Sequence, residues 1–405
     1  MSERLVPLRR NRDFVLFQTG QLLSAIGTNI ATIAYPLLTL AVTHSAAKAG
    51  IVGFAQFLPL VLFALLAGVL ADRGDRKRLM IAADVLRALF VGSLAASLLL
   101  DRIAFWQIVV VSFVEATGGV LFGAGRSAVF KSVVPNEQLA AAASTEEGRL
   151  SVVRLAGPPA GGALFGIGRA VPFVADAVSY AASTVSLLMM RTPLQRQRET
   201  ADTHVFAEAA EGVRFVWGNP FLRLTTLMLL LGNFSAAGVS LAVVILAKQH
   251  GLSGTGVGIL VALVGATTLL GATLSPLVRR VLSPRAILLS EFWASLALTS
   301  FLIWPNVYVL ATAFAFQAFF FANTDAAVRT YWYRVTPEHL IGRVPSAMGN
   351  VMVLAVPLGP LAAGLLIESA SPRAAVALFL AVTLVAAVAG TLSRATRALP
   401  AASSA

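Results

Sequence analysis

The sequence predicts an all-α integral membrane protein of twelve transmembrane helices, built as two six-helix pseudo-repeats. Three observations predict it: the composition, a regular series of long apolar runs, and an internal repeat at constant offset. Of 405 residues, 57% are apolar and 12% charged, and the mean hydropathy is +0.81. A soluble domain carries about 25% charged residues. A chain this long cannot cover a water-facing surface with so few charges, whereas a lipid-facing surface needs none. Cysteine is absent, which removes disulfides and thiolate metal sites. His44, His204, His250 and His339 are too scattered for a metal cluster. The net charge of +12 sits in short segments between apolar runs, so it does not make the single basic face of a nucleic-acid binder. The first apolar run, from Phe14 to about Leu40, is longer than a signal-peptide core.

A spanning helix needs about 20 apolar residues. Such runs lie near Phe14–Leu40, Ala49–Ala71, Leu79–Leu100, Phe105–Ala128, Leu150–Ile167 and Val171–Met190. After a polar stretch, Arg191–Pro220, six more lie near Phe221–Ala247, Gly254–Val278, Ala286–Trp304, Val307–Ala327, Ala347–Ile367 and Ala374–Ser393. The fifth and sixth runs nearly touch, so that hairpin is the weakest part of the count. With the N-terminus placed in the cytoplasm, 24 Lys and Arg fall in inner segments and five (Lys48, Arg102, Arg169, Lys248 and Arg373) in outer ones. Cytoplasmic loops carry the excess of Lys and Arg. An even helix number therefore puts both termini in the cytoplasm, and the chain is expected in the cell membrane as a monomer in lipid.

The second half repeats the first. Pro135 recurs as Pro337, Gly157-Pro158 as Gly359-Pro360 and Gly162 as Gly364, each at an offset of 202, and Gly68 pairs with Gly271 at 203. The reading is a six-helix half over residues 1–190, a cytoplasmic linker over 191–220 and a second half over 221–405. Parallel repeats of this kind build transporters whose substrate site lies between the halves near mid-membrane. Within the linker, the amphipathic stretch Ala207–Trp217 fits an interfacial helix or a solvated tether.

Between the second and third spans stands Gly68-Val69-Leu70-Ala71-Asp72-Arg73-Gly74-Asp75-Arg76-Lys77-Arg78. Gly68 is suited to close helix approach. Asp72 closes a helix at the membrane surface, where the helix dipole is negative, so its carboxylate is expected to serve another element. In the fifth span, Gly157-Pro158-Pro159-Ala160-Gly161-Gly162 combines helix-bending prolines with small contact residues. The loop between the second and third spans closely resembles the signature loop of the major facilitator superfamily, G-x-x-x-D-R-x-G-R-[KR]. The fifth-span stretch is similar to that superfamily's antiporter motif, G-P-x-x-G-G. The resemblance implies that Gly68, Asp72, Arg73, Arg76 and Lys77 form a cytoplasmic latch, with Asp72 facing the segment that starts near Ser346. The corresponding loop of the second half, Ser275–Arg285, has lost the acid. Asn11-Arg12-Asp13-Phe14, Gln21 to Gly27 and Ala83 to Ala88 resemble the branch that holds macrolide-efflux and enterobactin-exporter proteins. Many members of that branch carry an acid directly after the position of Gly27, where this chain has Thr28. Any proton-carrying role of that acid must then move elsewhere.

Ionisable residues inside spans are costly and are functional candidates by default. Glu115 lies near the middle of the fourth span, in a stripe with Ser112, Gly119, Phe122 and Arg126 at helical spacing. A carboxyl buried in low dielectric favours its protonated form, which makes Glu115 the leading proton carrier. Arg154, one turn before Gly157, needs a partner, either Glu115 or an anion in the cavity. Asp325 in the tenth span is the next candidate. Asp84 and Arg87 are set to pair at i,i+3, and Asp176 and Glu291, nearer span ends, are read as structural. In the resembled family the first, fourth, seventh and tenth helices line the cavity. This brings forward Gln21, Asn29, Tyr35, Ser112, Asn233, Phe319 and Asn323 as lining residues, with a phenylalanine-rich patch at 314–321. The expected function is a proton-coupled exporter of amphipathic small molecules such as drugs, antibiotics or siderophores, working by alternating access without a bound cofactor. No G-x-x-x-x-G-K-[ST] phosphate loop occurs, so direct ATP drive is not expected. An uptake symporter on the same fold is the closest rival. A non-transporting receptor or an enzyme is disfavoured, since no reactive constellation of His with Ser or paired acids stands out.

Overall fold

The computed structural model describes residues 7–192 and 205–397, with the side chains of 72, 127, 128, 130, 131 and 205–209 outside the description. Among the described residues every regular element is helical. The first six spans are α1 (Arg12–Thr43), α2 (Ala46–Arg73), α3 (Arg76–Leu99), α4 (Phe105–Val133), α5 (Leu139–Ile167) and α6 (Val171–Met189). Helix α7 (Val205–Gly218) follows, then α8 (Pro220–Gln249) and α9 (Gly254–Thr273). The remaining elements are α10 (Ser275–Val281), α11 (Pro284–Ala294), α12 (Thr299–Ile303), α13 (Val307–Val335), α14 (Arg343–Val353), α15 (Leu358–Ser369), α16 (Pro372–Leu392) and α17 (Arg394–Arg397). The ninth span joins α11 to α12 through a 3-10 turn, and the eleventh joins α14 to α15. Among the described residues twelve helical segments are long and apolar enough to cross a membrane.

Capping explains where several helices begin. Asp75 accepts from the Lys77 and Arg78 amides at the start of α3, and Asn219, followed by Pro220, accepts from the Phe221 and Leu222 amides at the start of α8. Ser283, Asn306 and Ser371 do the same for α11, α13 and α16. The fifth helix starts at Leu139, eleven residues ahead of the apolar run expected from Leu150. Its polar opening is held by ion pairs: Glu146 binds Arg149 at 2.5 Å and Arg126 of α4 at 3.1 Å.

The helices gather into two compact units. The first holds α1, α2 from Ala55 onward, α3 to α6, and the opening Ser253–Gly258 of α9. Within it α1 packs on α5 and α6, and α3 packs on α4 and α6. The second holds His44–Phe54, α7, α8, α9 from Ile259 onward, and α10 to α17. Within it α8 packs on α14, α15 and α16, and α11 packs on α13 and α16. The units therefore depart from the sequence halves at the openings of α2 and α9. The internal repeat reappears in those departures. In the first unit a Cβ on Gly162 would stand 2.0 Å from the Gly254 carbonyl oxygen; in the second, one on Gly364 would stand 2.4 Å from that of Ala46.

Residues 193–204 of the expected linker lie outside the described residues. The amphipathic stretch after them is a docked helix and not a free tether. Helix α7 packs on α14, with the place of a Gly212 Cβ only 2.8 Å from the Arg343 carbonyl oxygen and Glu211 paired to Arg343 at 2.5 Å.

Candidate functional site

Four helices of the first unit bring a polar cluster into an apolar interior. Glu115 on α4 is 6% exposed, and both its oxygens are taken. Tyr35 of α1 donates to Oε2 in a short hydrogen bond, and Tyr180 of α6 donates to Oε1 at 2.9 Å. The Tyr180 oxygen in turn accepts from Arg87 of α3 at 2.5 Å, and the guanidinium lies 3.8 Å from the Tyr180 ring centroid. Arg87 also donates to Thr28 of α1 at 2.9 Å and pairs with Asp84 at 3.4 Å. Asp176 of α6 is fully buried, beside Glu115, Arg87 and Tyr180. Its Oδ1 lies 2.5 Å from where a Cβ on Gly27 would stand.

The expected Asp84–Arg87 pair is present, but it is one edge of a larger network. Asp176, read from the sequence as structural, is a cluster member. Its signal was weak, because nothing in the chain order says that α6 faces Gly27. Tyr180 and Thr28 are the other members that the sequence alone did not assign to this site. Three carboxyls here meet one guanidinium. A buried ion is tolerable only when paired and hydrogen-bonded. Two neighbouring carboxylates in low dielectric repel each other, so the cluster depends on its tyrosine hydrogen bonds and on Arg87.

Arg154 is not part of it. That side chain is exposed, and the Glu115 oxygens proposed for it are occupied by the two tyrosines. Asp325 stands on α13 of the second unit, paired with Arg329 at 2.8 Å. Of the expected cavity residues, Tyr35 belongs to the cluster. Ser112 is buried with its hydroxyl turned to the Val109 carbonyl oxygen, and Asn323 is buried and donates to the carbonyls of Gly271 and Phe319. Tyr35 and Asn323 thus tie their helices to neighbours, whereas the Ser112 bond stays within α4. Gln21 is also buried, and its carbonyl oxygen accepts from Arg149 at 2.8 Å. Asn29 and Asn233 are half-buried and donate to the Ala25 and Met352 carbonyl oxygens. Phe319 is half-buried in edge contact with Phe320.

An open space does lie along the adjoining face of α4. A cleft of about 660 Å³ separates α4 from α2, lined by Phe57, Leu60, Gly68, Gly119 and Gly123, with Gln56 as its one long polar side chain. Ala116, next to Glu115, also lines it. Gly68 was expected to admit a neighbouring helix. Instead a Cβ there would meet nothing within 4 Å, so this glycine widens the cleft. The fifth-helix motif does serve close approach: a Cβ on Gly161 would stand 2.6 Å from the Ile30 carbonyl oxygen of α1, and Gly157 abuts Asn29. Pro158 lies beneath Gly258 in the same seam.

In the signature loop, Arg73 is exposed, Arg76 donates to the Ala71 carbonyl oxygen at 3.0 Å and Lys77 to that of Met190 at 2.8 Å. The Asp72 side chain lies outside the described residues. Among the described residues no group of three or more His, Asp or Glu is placed to hold a metal ion.

A family model described as transmembrane secretion effector matches residues 2–405. The multidrug efflux pump Tap of Mycolicibacterium fortuitum is 28% identical over 384 residues, covering 91% of this chain and 92% of that protein. Macrolide efflux protein A of Streptococcus pyogenes is 26% identical over 365 residues, covering 85% and 87%. Among solved structures, an inward-facing bacterial homologue of the human lysosomal transporter Spinster aligns with a TM-score of 0.71 at 17% identity, over 96% of this chain and 98% of that one. An inward-facing bacterial homologue of the iron transporter ferroportin aligns with a TM-score of 0.71 at 19% identity, over 95% and 99%. These two likenesses carry the fold.

Proposed function

We propose that this chain, which belongs to the transmembrane secretion effector family of the major facilitator superfamily, is a proton-driven exporter of amphipathic small molecules. The relatives named as multidrug and macrolide efflux proteins support the direction and the substrate class. The observation that carries the coupling is the double role of α4. Glu115 enters the buried cluster, and Ala116 beside it, with Gly119 and Gly123 one and two turns on, lines the cleft. A space of this size, mostly apolar with one amide, falls in the range that takes drug-sized molecules, about 300–1,000 Å³.

The cycle follows from the charges. With a proton shared between Glu115 and Asp176, the tyrosine bonds and Arg87 balance what charge remains. Loss of the proton leaves two adjacent carboxylates, whose repulsion strains the contacts of α1, α4 and α6. Since α4 is also a wall of the cleft, occupancy by substrate and by proton favour different positions of one helix. This is the differential affinity that alternating access requires. A proton entering down the membrane potential supplies about 2.3 kcal/mol per 100 mV. The Lys and Arg distribution supports cytoplasmic termini, so the basic signature loop faces inward.

Purified protein in vesicles with an imposed pH gradient tests this reading. A macrolide or a lipophilic dye should move against the proton flow and accumulate on the acidic side. Movement in the same direction as protons makes the protein a symporter. No movement under a gradient of either sign removes the proposal.

A further inference from the structure

The second unit holds a carboxyl that the cycle above does not use. Glu291 on α11 is 4% exposed, its Oε2 has no hydrogen-bond partner, and no cation pairs with it among the described residues. The elements around it bring little to answer a charge. From α8 comes Gly232, where a Cβ would stand 3.5 Å from Glu291 Oε1. From α13 comes Asp325, next to Thr324, whose hydroxyl donates at 3.0 Å to the carbonyl oxygen of Ile287, one turn before Glu291. The only ionisable group of α16 is Arg373, in its opening turn. Arg279 and Arg280 of α10 are exposed. Arg285, on the first turn of α11 itself, donates to the Thr391 carbonyl oxygen at 2.6 Å.

We propose that Glu291 is a second proton-binding site, separate from the Glu115 cluster, and that Asp325 exchanges its proton with water. An isolated carboxylate inside a span is costly, and the ligand that removes the cost most simply is a proton. Gly232, beside the carboxyl, supplies neither a donor nor a cation. Asp325 suits the exchange because its side chain is 30% exposed and held by Arg329, itself 62% exposed. In the transfer, the O–H bond of Glu291 breaks as one forms on Asp325, and water then takes the proton from Asp325. The use of this site in transport rests on the proton-driven reading above; its proton binding does not.

The test uses the full-length protein in lipid nanodiscs and the infrared C=O stretch of protonated carboxyls, followed through a pH titration. Glu291→Gln should remove one whole band and leave the one that Glu115→Gln removes. Asp325→Asn should keep the Glu291 band and slow its hydrogen–deuterium exchange by about tenfold or more. Glu291→Asp, which keeps a carboxyl if the amide variant folds poorly, should shift the band. A wild-type spectrum in both Glu291 variants overturns the site, and unchanged exchange in Asp325→Asn overturns the route. In vesicles, Glu291→Gln should carry one proton fewer per substrate than wild type. If wild type shows no pH-driven export, the exporter reading falls and the infrared result still decides this one.

Discussion

Asp176 on α6 sets its carboxyl against Gly27 of α1, at a spot where any larger residue would displace it. The next residue of α1, Thr28, accepts a hydrogen bond from Arg87, so α1, α3 and α6 meet at this seam through polar contacts.

Gly27→Ala tests how tightly that seam is closed. The added Cβ would lie 2.2 Å from Ser179 Oγ and 2.5 Å from Asp176 Oδ1, so α6 or both side chains must move. Overpacking of this kind costs about 1–3 kcal/mol. Thermal unfolding of the purified variant should show a lowered midpoint, with Ser179→Ala restoring part of it. A wild-type midpoint in Gly27→Ala would mean that α6 backs away freely and that the glycine is incidental.

Much of the fold was legible because membrane spans are set by run length, and each apolar run near 20 residues is answered by a helix. What was not legible was where polar contacts prolong a helix, as Glu146, Arg149 and Arg126 do for α5. For the site, Glu115 stood out as a lone acid in mid-span. Its pairing with Tyr35, read as a cavity residue, and with Tyr180 did not, because they lie 80 and 65 residues away along the chain and tyrosine in a span carries no charge signal. Arg154 misled for the complementary reason: its charge was visible in the sequence, but the side of α5 it occupies was not. Helical spacing placed Ser112 and Asn323 on plausible stripes, yet spacing cannot say whether a stripe meets water or another helix.

Orientation is testable because the chain has no cysteine. Single cysteines at His44 and Lys248 should react with an impermeant maleimide added to intact cells, and one at Arg76 should react only after permeabilisation. Ready labelling of the residue 76 variant from outside would invert the topology expected from the Lys and Arg distribution.

Within the signature loop two acids are expected to serve different ends. Asp75 caps α3 by accepting from Lys77 and Arg78. Asparagine caps as well as aspartate, and alanine loses about 1 kcal/mol. Asp75→Asn should therefore leave transport nearly intact and Asp75→Ala should only soften the helix start. Asp72→Asn should abolish or strongly reduce transport without changing membrane insertion, because a carboxylate at its own helix C-terminus is badly placed unless it serves another element. Normal transport by Asp72→Asn in vesicles would refute the latch.

Glu115→Gln gives the sharpest test of coupling. Glutamine keeps the shape of the protonated acid, can still accept from Tyr35 or Tyr180 through its carbonyl oxygen, and cannot release a proton. If Glu115 and Asp176 share the coupling proton, the variant should bind substrate and exchange it down its own gradient while pH-driven accumulation disappears. Asp176→Asn should behave alike, since either amide breaks the pair. A cluster that merely fastens α1, α3, α4 and α6 gives a different pattern. In that case both variants lower the thermal midpoint, and removal of the now unbalanced Arg87, as in the double variant Glu115→Gln with Arg87→Gln, restores it. Removing one partner of a buried charged network costs about 3–5 kcal/mol, large enough for the two outcomes to be told apart by melting alone. Arg154→Gln should change neither readout in the Glu115→Gln background, because the exposed guanidinium makes no bond to that carboxyl. Full pH-driven accumulation in a well-folded Glu115→Gln protein would take the coupling away from this cluster and leave Glu291, with Asp325, to carry it.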